Sequence, residues 1–337
     1  MGRRPEGEGR RSPSSKITMV GLAQLAGVAP ITVSRALNGS ELVRAEVRER
    51  IQALAREHDY RFNLAAHSLR LAKSQTVAVV IAASGQRPVA DAYPMILLSG
   101  IVQRMSAAGY IVVLAPRERA SSPEVRAADG AILLGQGSQE DSLRLMEGIG
   151  SPLVVWGSVR RPSAASTIVV GSDNCEGGRA AAEYLLEQGR RNLVFLGDIT
   201  HAELADRFSG FALAVAQAGA AIVATCAAAF TSDGGHSAIG DLTAKGVKFD
   251  GVFCCSDLIA IGAVRSLKEA GVAIPEEVSV VGYDDSPLAA EFDPPITSVQ
   301  QDWIEGGRLL ADKLLKAIKG EPAPSEMLPV RLVRRST

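Results

Sequence analysis

At 337 residues and 47% hydrophobic content, the chain is too long for one small module and apolar enough to build more than one core. Its formal charge of −1 hides an asymmetry, because residues 1–74 carry 13 Lys and Arg against 7 Asp and Glu and the remainder carries 23 against 30. A front of +6 ahead of an acidic body of −7 confines any polyanion-binding surface to the first quarter, and no run of eighteen apolar residues is present to span a membrane.

Residues 1–16 are rich in Gly, Arg, Ser and Pro and hold no apolar run. They are expected to form a disordered basic tail, without the hydrophobic core of a signal peptide. A head follows over residues 17–62. Thr18 can cap a first helix running to about Ala26, with Leu22, Leu25 and Ala26 on its inner side. Gly27 supplies a turn, and Pro30 suits the first position of a second helix. There Val33, Ala36 and Leu37 face inward, which leaves Ile31, Thr32, Ser34, Arg35 and Asn38 to meet solvent or DNA. A third helix from about Ala45 to Glu57 brings Val47, Ile51 and Leu54 to the same core. Helix, tight turn and helix in under twenty residues outline a DNA-reading unit. The planar fork of Arg35 matches the two acceptors of a guanine edge, while Thr32 and Ser34 suit phosphate oxygens. Taken alone, the second helix reads equally as an ordinary amphipathic helix with a solvated arginine.

The segments Leu22-Ala23, Ala26-Gly27-Val28 and Thr32-Val33-Ser34-Arg35-Ala36-Leu37-Asn38, followed by Tyr60 and Asn63, resemble the family of the lac and purine repressors. Those bacterial regulators join an N-terminal helix-turn-helix to a periplasmic-binding-protein-like body. The resemblance implies DNA contacts from Thr18, Pro30, Ile31, Thr32, Ser34, Arg35, Asn38, Asn63 and Ala66. It also implies that residues 63–74 form a hinge that becomes helical on DNA, with Leu69 wedged into a minor-groove step. An apolar wedge unstacks a base step and kinks the duplex; without the family, Leu69 reads as a buried linker residue. Four positions depart from the family pattern. Gly21 replaces a frequent aspartate, Ala29 a serine, Phe62 a proline and His67 an arginine.

From residue 75 to 337, short apolar runs alternate with helical stretches: Thr76 to Ala82, Tyr110 to Ala115, Gly130 to Gly135, Leu153 to Gly157, Asn192 to Gly197, Ala221 to Cys226, Gly251 to Ser256 and Ser279 to Tyr283. That rhythm predicts an α/β body of two lobes, each a parallel sheet flanked by helices, with the chain crossing between lobes near 172 and 300. Ligands of such sheets bind beyond the carboxyl ends of the strands, so the cleft between lobes is the expected site. By resemblance, Arg207 and Asp284 contact an effector. Read alone, each is taken as a member of a structural ion pair. The resemblance adds Tyr93, Phe230 and Trp303 as aromatic walls, each of which also suits a core, and Ser256 with Asp257 at another strand end. Pro94 and Gly157 replace a phenylalanine and an aspartate found in relatives, which leaves the effector open among sugars, sugar acids and nucleobases. Only 14 residues separate Ala115 from Gly130, so the 116–129 crossover helix is short, in a region that relatives use near their subunit interface. The strand-like stretch Leu328 to Val333 closes the pattern, with no leucine-heptad extension after it, and a two-fold dimer is expected.

Catalysis finds little support. Asp284 and Asp285 are adjacent at a strand end and diverge, and His58, His67, His201 and His236 are scattered without metal-ligand spacing. Gly130 to Gly137 lacks the spacing of a dinucleotide loop, so no cofactor is implied. Cys175, Cys226, Cys254 and Cys255 show no paired spacing and are expected as reduced buried thiols. The expectation is a cytoplasmic, nucleoid-associated transcriptional repressor that binds an operator as a homodimer and is released by a small-molecule inducer. The alternative is a solute-binding protein of a transport system, which the body alone would resemble.

Overall fold

The computed structural model describes residues 17–37, 40, 42–60, 74–81, 92–135, 150–158 and 167–337. The expectations for the basic tail, Asn38, Asn63, Ala66 and Leu69 lie outside these residues. Two compact units divide at Ala72 and Lys73.

The head contains α1 (Met19–Ala26), α2 (Pro30–Leu37) and α3 (Ala45–Glu57). Thr18 Oγ1 accepts the Gly21 N–H at 3.2 Å, satisfying one of the donors a helix start leaves open. Gly27 closes α1 at φ 63°, a left-handed conformation a side chain would resist, and the amides of Gly27 and Val28 return to Gln24 and Ala23. Leu22, Ala23, Ala26, Val33, Ala36 and Ile51 form the shared core, with Val47 and Leu54 packed against it. Two expectations are corrected. Leu25 is 54% exposed, because Leu22, Ala23 and Ala26 define the inner arc and Leu25 lies to one side of it. Ser34 is buried rather than facing outward, at one border of the inner arc of α2 that Val33 and Ala36 define.

The body is built on two six-stranded sheets, ordered β11-β5-β4-β3-β1-β2 and β12-β10-β9-β8-β6-β7. The first holds β1 (Thr76–Ile81), β2 (Ile111–Pro116), β3 (Gly130–Leu134), β4 (Leu153–Trp156), β5 (Ile168–Ser172) and β11 (Glu326–Leu328). The second holds β6 (Asn192–Leu196), β7 (Ala221–Cys226), β8 (Gly251–Cys254), β9 (Ser279–Asp284), β10 (Thr297–Gln300) and β12 (Arg331–Val333). All pairings are parallel except β10 with β12. The central strands are buried along their length, which is why they read as continuous apolar runs. Helices α4 (Ala92–Ala107) and α11 (Trp303–Ile318) serve the first lobe, together with the single turn α5 (Pro123–Arg126). Helices α6 (Asn174–Glu187), α7 (Ala202–Gln217), α8 (Ser232–Ala244), α9 (Asp257–Glu269) and α10 (Pro287–Glu291) serve the second.

Each of the eight expected strands is present. The chain passes between sheets after Ser172 and after Gln300, and a third time between Leu328 and Arg331. The stretch read as one strand from Leu328 to Val333 is therefore two. Pro329 has no N–H to give a ladder, and the residues either side of it join different sheets. The short 116–129 crossover is a 3-10 turn at Arg117–Arg119 followed by α5, and Ala120, Val125 and Ala128 cover that face of the first sheet.

In the second lobe, α6 and α7 meet through glycine. A Cβ on Gly178 would lie 1.8 Å from the Arg207 carbonyl oxygen, and one on Gly210 would lie 1.8 Å from that of Cys175. The helices thus touch backbone to backbone, which fixes the depth at which Arg207 enters the lobe. Gly210→Ala must separate them. It is expected to destabilise the body by about 3 kcal/mol, at the upper end of overpacking effects, seen as a lower midpoint in urea unfolding.

Candidate functional site

On the head, Ile31 is 55% exposed, Pro30 and Arg35 are exposed, and Thr32 is half-buried. Arg50 donates to the Ala26 carbonyl at 2.9 Å, closing the end of α1, and Arg48 reaches the Ser40 carbonyl. Arg35 is exposed and makes no side-chain bond to another of the described residues. Thr18 is engaged as the α1 cap and Ser34 packs inward, so neither side chain is presented as openly as Arg35.

In the body, Arg207 lies 5% exposed in the second turn of α7. Its Nε donates to Asn174 Oδ1 at 2.8 Å and a terminal nitrogen donates to the Cys255 carbonyl at 2.5 Å. Its guanidinium carbon sits 3.5 Å from the centre of the Tyr283 ring. No carboxylate pairs with it among the described residues. A buried cation is here neutralised only in part, by carbonyl dipoles and a ring face. The Tyr283 hydroxyl donates to the same Asn174 oxygen at 3.3 Å, and burial pushes its acidity to about 12, so it stays a neutral donor.

Asp284 ends β9 at φ 112°, and Asp285 follows at φ 52°. Non-glycine residues at positive φ cost about 1 to 3 kcal/mol each and mark over-determined local structure. The carboxylate of Asp284 accepts Gln301 Nε2 at 2.7 Å, and its carbonyl accepts Trp303 Nε1 at 3.4 Å. Asp285 turns elsewhere, accepting from Gln300 at 2.6 Å and Arg335 at 2.5 Å. Trp303, at the start of α11, lies 5.5 Å from Trp156. Arg207 and Tyr283 therefore form one cluster, and Asp284 and Trp303 adjoin it through the chain.

Other expected site residues are placed differently. Ser256 is buried and caps α9, accepting the Ile259 N–H. Asp257 is 2% exposed and both carboxylate oxygens accept donors from the protein, at 2.6 Å from Ser298 Oγ and 2.6 Å from the Ser286 amide. Phe230 is 5% exposed in the lobe core, with His201 edge-on at 6.3 Å. Tyr93 lies on α4, and its side chain is outside the described residues. The sequence reading missed Asn174 and Tyr283. Tyr283 stood beside Asp284 in the same motif, whereas nothing local distinguishes Asn174 from a helix-start residue. Also unforeseen, Ser158 beyond β4 donates to Asp206 on α7, a polar contact that joins the lobes next to Arg207. Of the four cysteines, all free, Cys254 and Cys255 are buried and Cys175 and Cys226 are half-buried. Among the described residues, no group of three His, Cys, Asp or Glu could hold a metal ion.

A family model described as bacterial regulatory proteins, lacI family, matches residues 18–63, and one described as a periplasmic binding protein-like domain matches residues 182–337. The HTH-type transcriptional regulator CelR of Thermobifida fusca is 33% identical over 97% of this chain and 96% of its own length. The ribose operon repressor of Haemophilus influenzae is 28% identical over 90% of this chain and 92% of its own length. Among solved structures, the lac repressor dimer bound to operator and the anti-inducer ONPF superposes with a TM-score of 0.84 at 23% identity, over 96% of this chain and 99% of that one. A CelR–cellobiose complex superposes at 0.73 with 30% identity, over 95% and 99%.

The Ser158–Asp206 contact makes a separable prediction. Asp206→Ala should lower amide-exchange protection in the first turns of α7 by about 1.5 kcal/mol, the scale of a hydrogen bond to a charged group, while Asp206→Asn retains most of it. Hydrogen exchange read by mass spectrometry distinguishes the two.

Proposed function

This chain belongs to the lacI family of bacterial regulatory proteins, and from that premise we propose that it represses transcription as a homodimer on a near-palindromic operator and is released by a sugar-class inducer held at Arg207 and Asp284. A ligand-responsive DNA-binding regulator replaces the solute-binding alternative, because the family match includes the head and the similarity to CelR runs the length of the chain.

The observation that carries the site assignment is the buried Arg207 guanidinium, with Asp284 on the neighbouring strand end. A sugar offers hydroxyls that both donate and accept, so a cation fork and a carboxylate together suit it, each charged hydrogen bond contributing about 1.5 to 3 kcal/mol. Trp303 supplies an apolar face beside them. Cellobiose in a complex of CelR and ribose in a complex of an Enterococcus faecium relative make glucosides and pentoses the first classes to test. Asp284 and Asp285 each engage separate partners, which supports a reading without acid–base catalysis. The action is assigned to the nucleoid in the cytoplasm.

DNA reading falls to the exposed face of α2, with Arg35 on base edges. The hinge over 63–74, with Leu69 as minor-groove wedge, is assigned by resemblance and lies almost wholly outside the described residues. Exposed Ile111 and Leu114 on edge strand β2, and Val223 on edge strand β7, give a dimer apolar surface to bury.

Arg207→Ala is expected to abolish release by inducer while leaving operator affinity within about twofold, in gel-shift titrations with and without cellobiose; a normal response removes Arg207 from the site. Arg35→Ala should cost about 1 to 3 kcal/mol and relax preference at one base position in each half-site, read by binding to a library of operator variants. Cellobiose at 100 times its dissociation constant should add about 2.7 kcal/mol of stability to the full chain, seen as a thermal shift.

A further inference from the structure

Asp257 opens α9 and is buried. Its Oδ1 accepts the Ser298 hydroxyl from β10, and its Oδ2 accepts the Ser286 amide, both at 2.6 Å. The Ser298 hydroxyl oxygen in turn accepts the Asp285 amide at 3.0 Å. One buried carboxylate therefore holds the amides of both residues that follow Asp284, one directly and one through a single hydroxyl. Those are the residues around the positive-φ elbow at Asp284 and Asp285. The strand makes room for the clamp, since a Cβ on Gly282 would lie 2.4 Å from Asp257 Oδ1.

We infer that Asp257 is a positioning residue: its ionised carboxylate clamps the Asp284–Ser286 elbow and so holds Asp284 in the orientation an effector meets, without touching the effector itself. This rests on the reading of Asp284 as an effector contact. Protonation puts a donor on one oxygen and removes the charge from both, so the hydrogen bonds to the Ser298 hydroxyl and the Ser286 amide lose their charge assistance. Loss of the charge therefore loosens the elbow.

Burial, with the charge of Asp285 adding to it, pushes Asp257 up to about 6. The titratable and charged groups around it are Asp285 just beyond β9, Arg335 of the C-terminal segment paired to Asp285, and the Cys254 thiol of β8, which burial keeps neutral. From β10 it meets the neutral Ser298, and Glu291 of α10 is exposed. The α8 groups Asp233 and His236 pair with Arg265 and Glu269, two and three turns down α9. Because its folded value is raised, the ionised form is the costly one: this group adds stability at low pH, which is lost as pH rises through about 6. Clamping and stability thus respond to pH in opposite directions.

The chain has two tryptophans, and Trp303 donates directly to the Asp284 carbonyl. In the full chain carrying Trp156→Phe, emission from Trp303 should change with a midpoint near pH 6. Adding Asp257→Asn, which keeps the shape but cannot ionise, should remove that transition. Ser298→Ala, which breaks only the relay to Asp285, should reduce it. A midpoint that survives Asp257→Asn belongs to another group and overturns the clamp, as does its absence from the parent.

Calorimetric titration with cellobiose supplies the second arm. Affinity of the wild type should fall about fourfold between a pH of about 7.5 and about 5.5, the ratio of the ionised fractions. Asp257→Asn should bind weakly and equally at both; wild-type affinity in that variant overturns the link to Asp284. If the wild type binds no cellobiose, the proposed effector class fails, while the fluorescence still decides the clamp.

Discussion

A guanidinium buried with no carboxylate partner among the described residues is the constraint around which the second lobe is organised. Removing a cation from water costs several kcal/mol unless the protein returns equivalent interactions. Asn174, the Cys255 carbonyl and the Tyr283 face return part of it. The backbone-to-backbone contact of α6 with α7 then leaves Arg207 no freedom to retreat toward solvent, since the same residue's carbonyl abuts Gly178. Packing and charge are coupled at one residue.

The three passages between sheets explain how such a group could report on lobe position. Relative movement of two stiff lobes concentrates in their connections, here around Asp173, around Gln301 and Asp302, and around Pro329 and Val330. Asn174, which holds Arg207, follows the first connection. Gln301 and Trp303, which hold Asp284, flank the second. Groups that fix the candidate ligand contacts are thus next to the places where backbone torsions would change on closure. Ser158 and Asp206 add a polar contact between the lobes beside Arg207, on the side of the first connection.

How much of this was legible depends on sequence separation. The Thr18 cap, the Gly27 turn and the Pro30 start are local chemistry and were readable. So were strands such as β1 and β3, whose burial on both faces demands apolar runs. Leu25 and Ser34 were misplaced because a few degrees of helix phase decide which residue at the border of an arc turns inward. β10, Thr297–Gln300, carries one apolar side chain in four and looks like a loop, yet it is the strand next to the elbow. Asp257 was read as a ligand contact because a carboxylate at a strand end fits that role. Its partners Ser286 and Ser298 are 29 and 41 positions away, and no local pattern reveals that both of its oxygens are already used.

The elbow itself shows why the sequence tolerates strain. Glycine at 284 and 285 would relieve the positive-φ cost of about 1 to 3 kcal/mol at each position. It would also delete both carboxylates, one of which anchors Arg335 and Gln300 while the other faces Gln301. The chain instead keeps two aspartates and surrounds them with Asp257, Ser298, Gln300, Gln301 and Arg335, so that strain is balanced by an interlocking set of hydrogen bonds. Asp285 has a structural use that accounts for its retention. Asp284 accepts Gln301 through its carboxylate and Trp303 through its carbonyl, so the strained residue also ties the end of β9 to the connection that leads into α11.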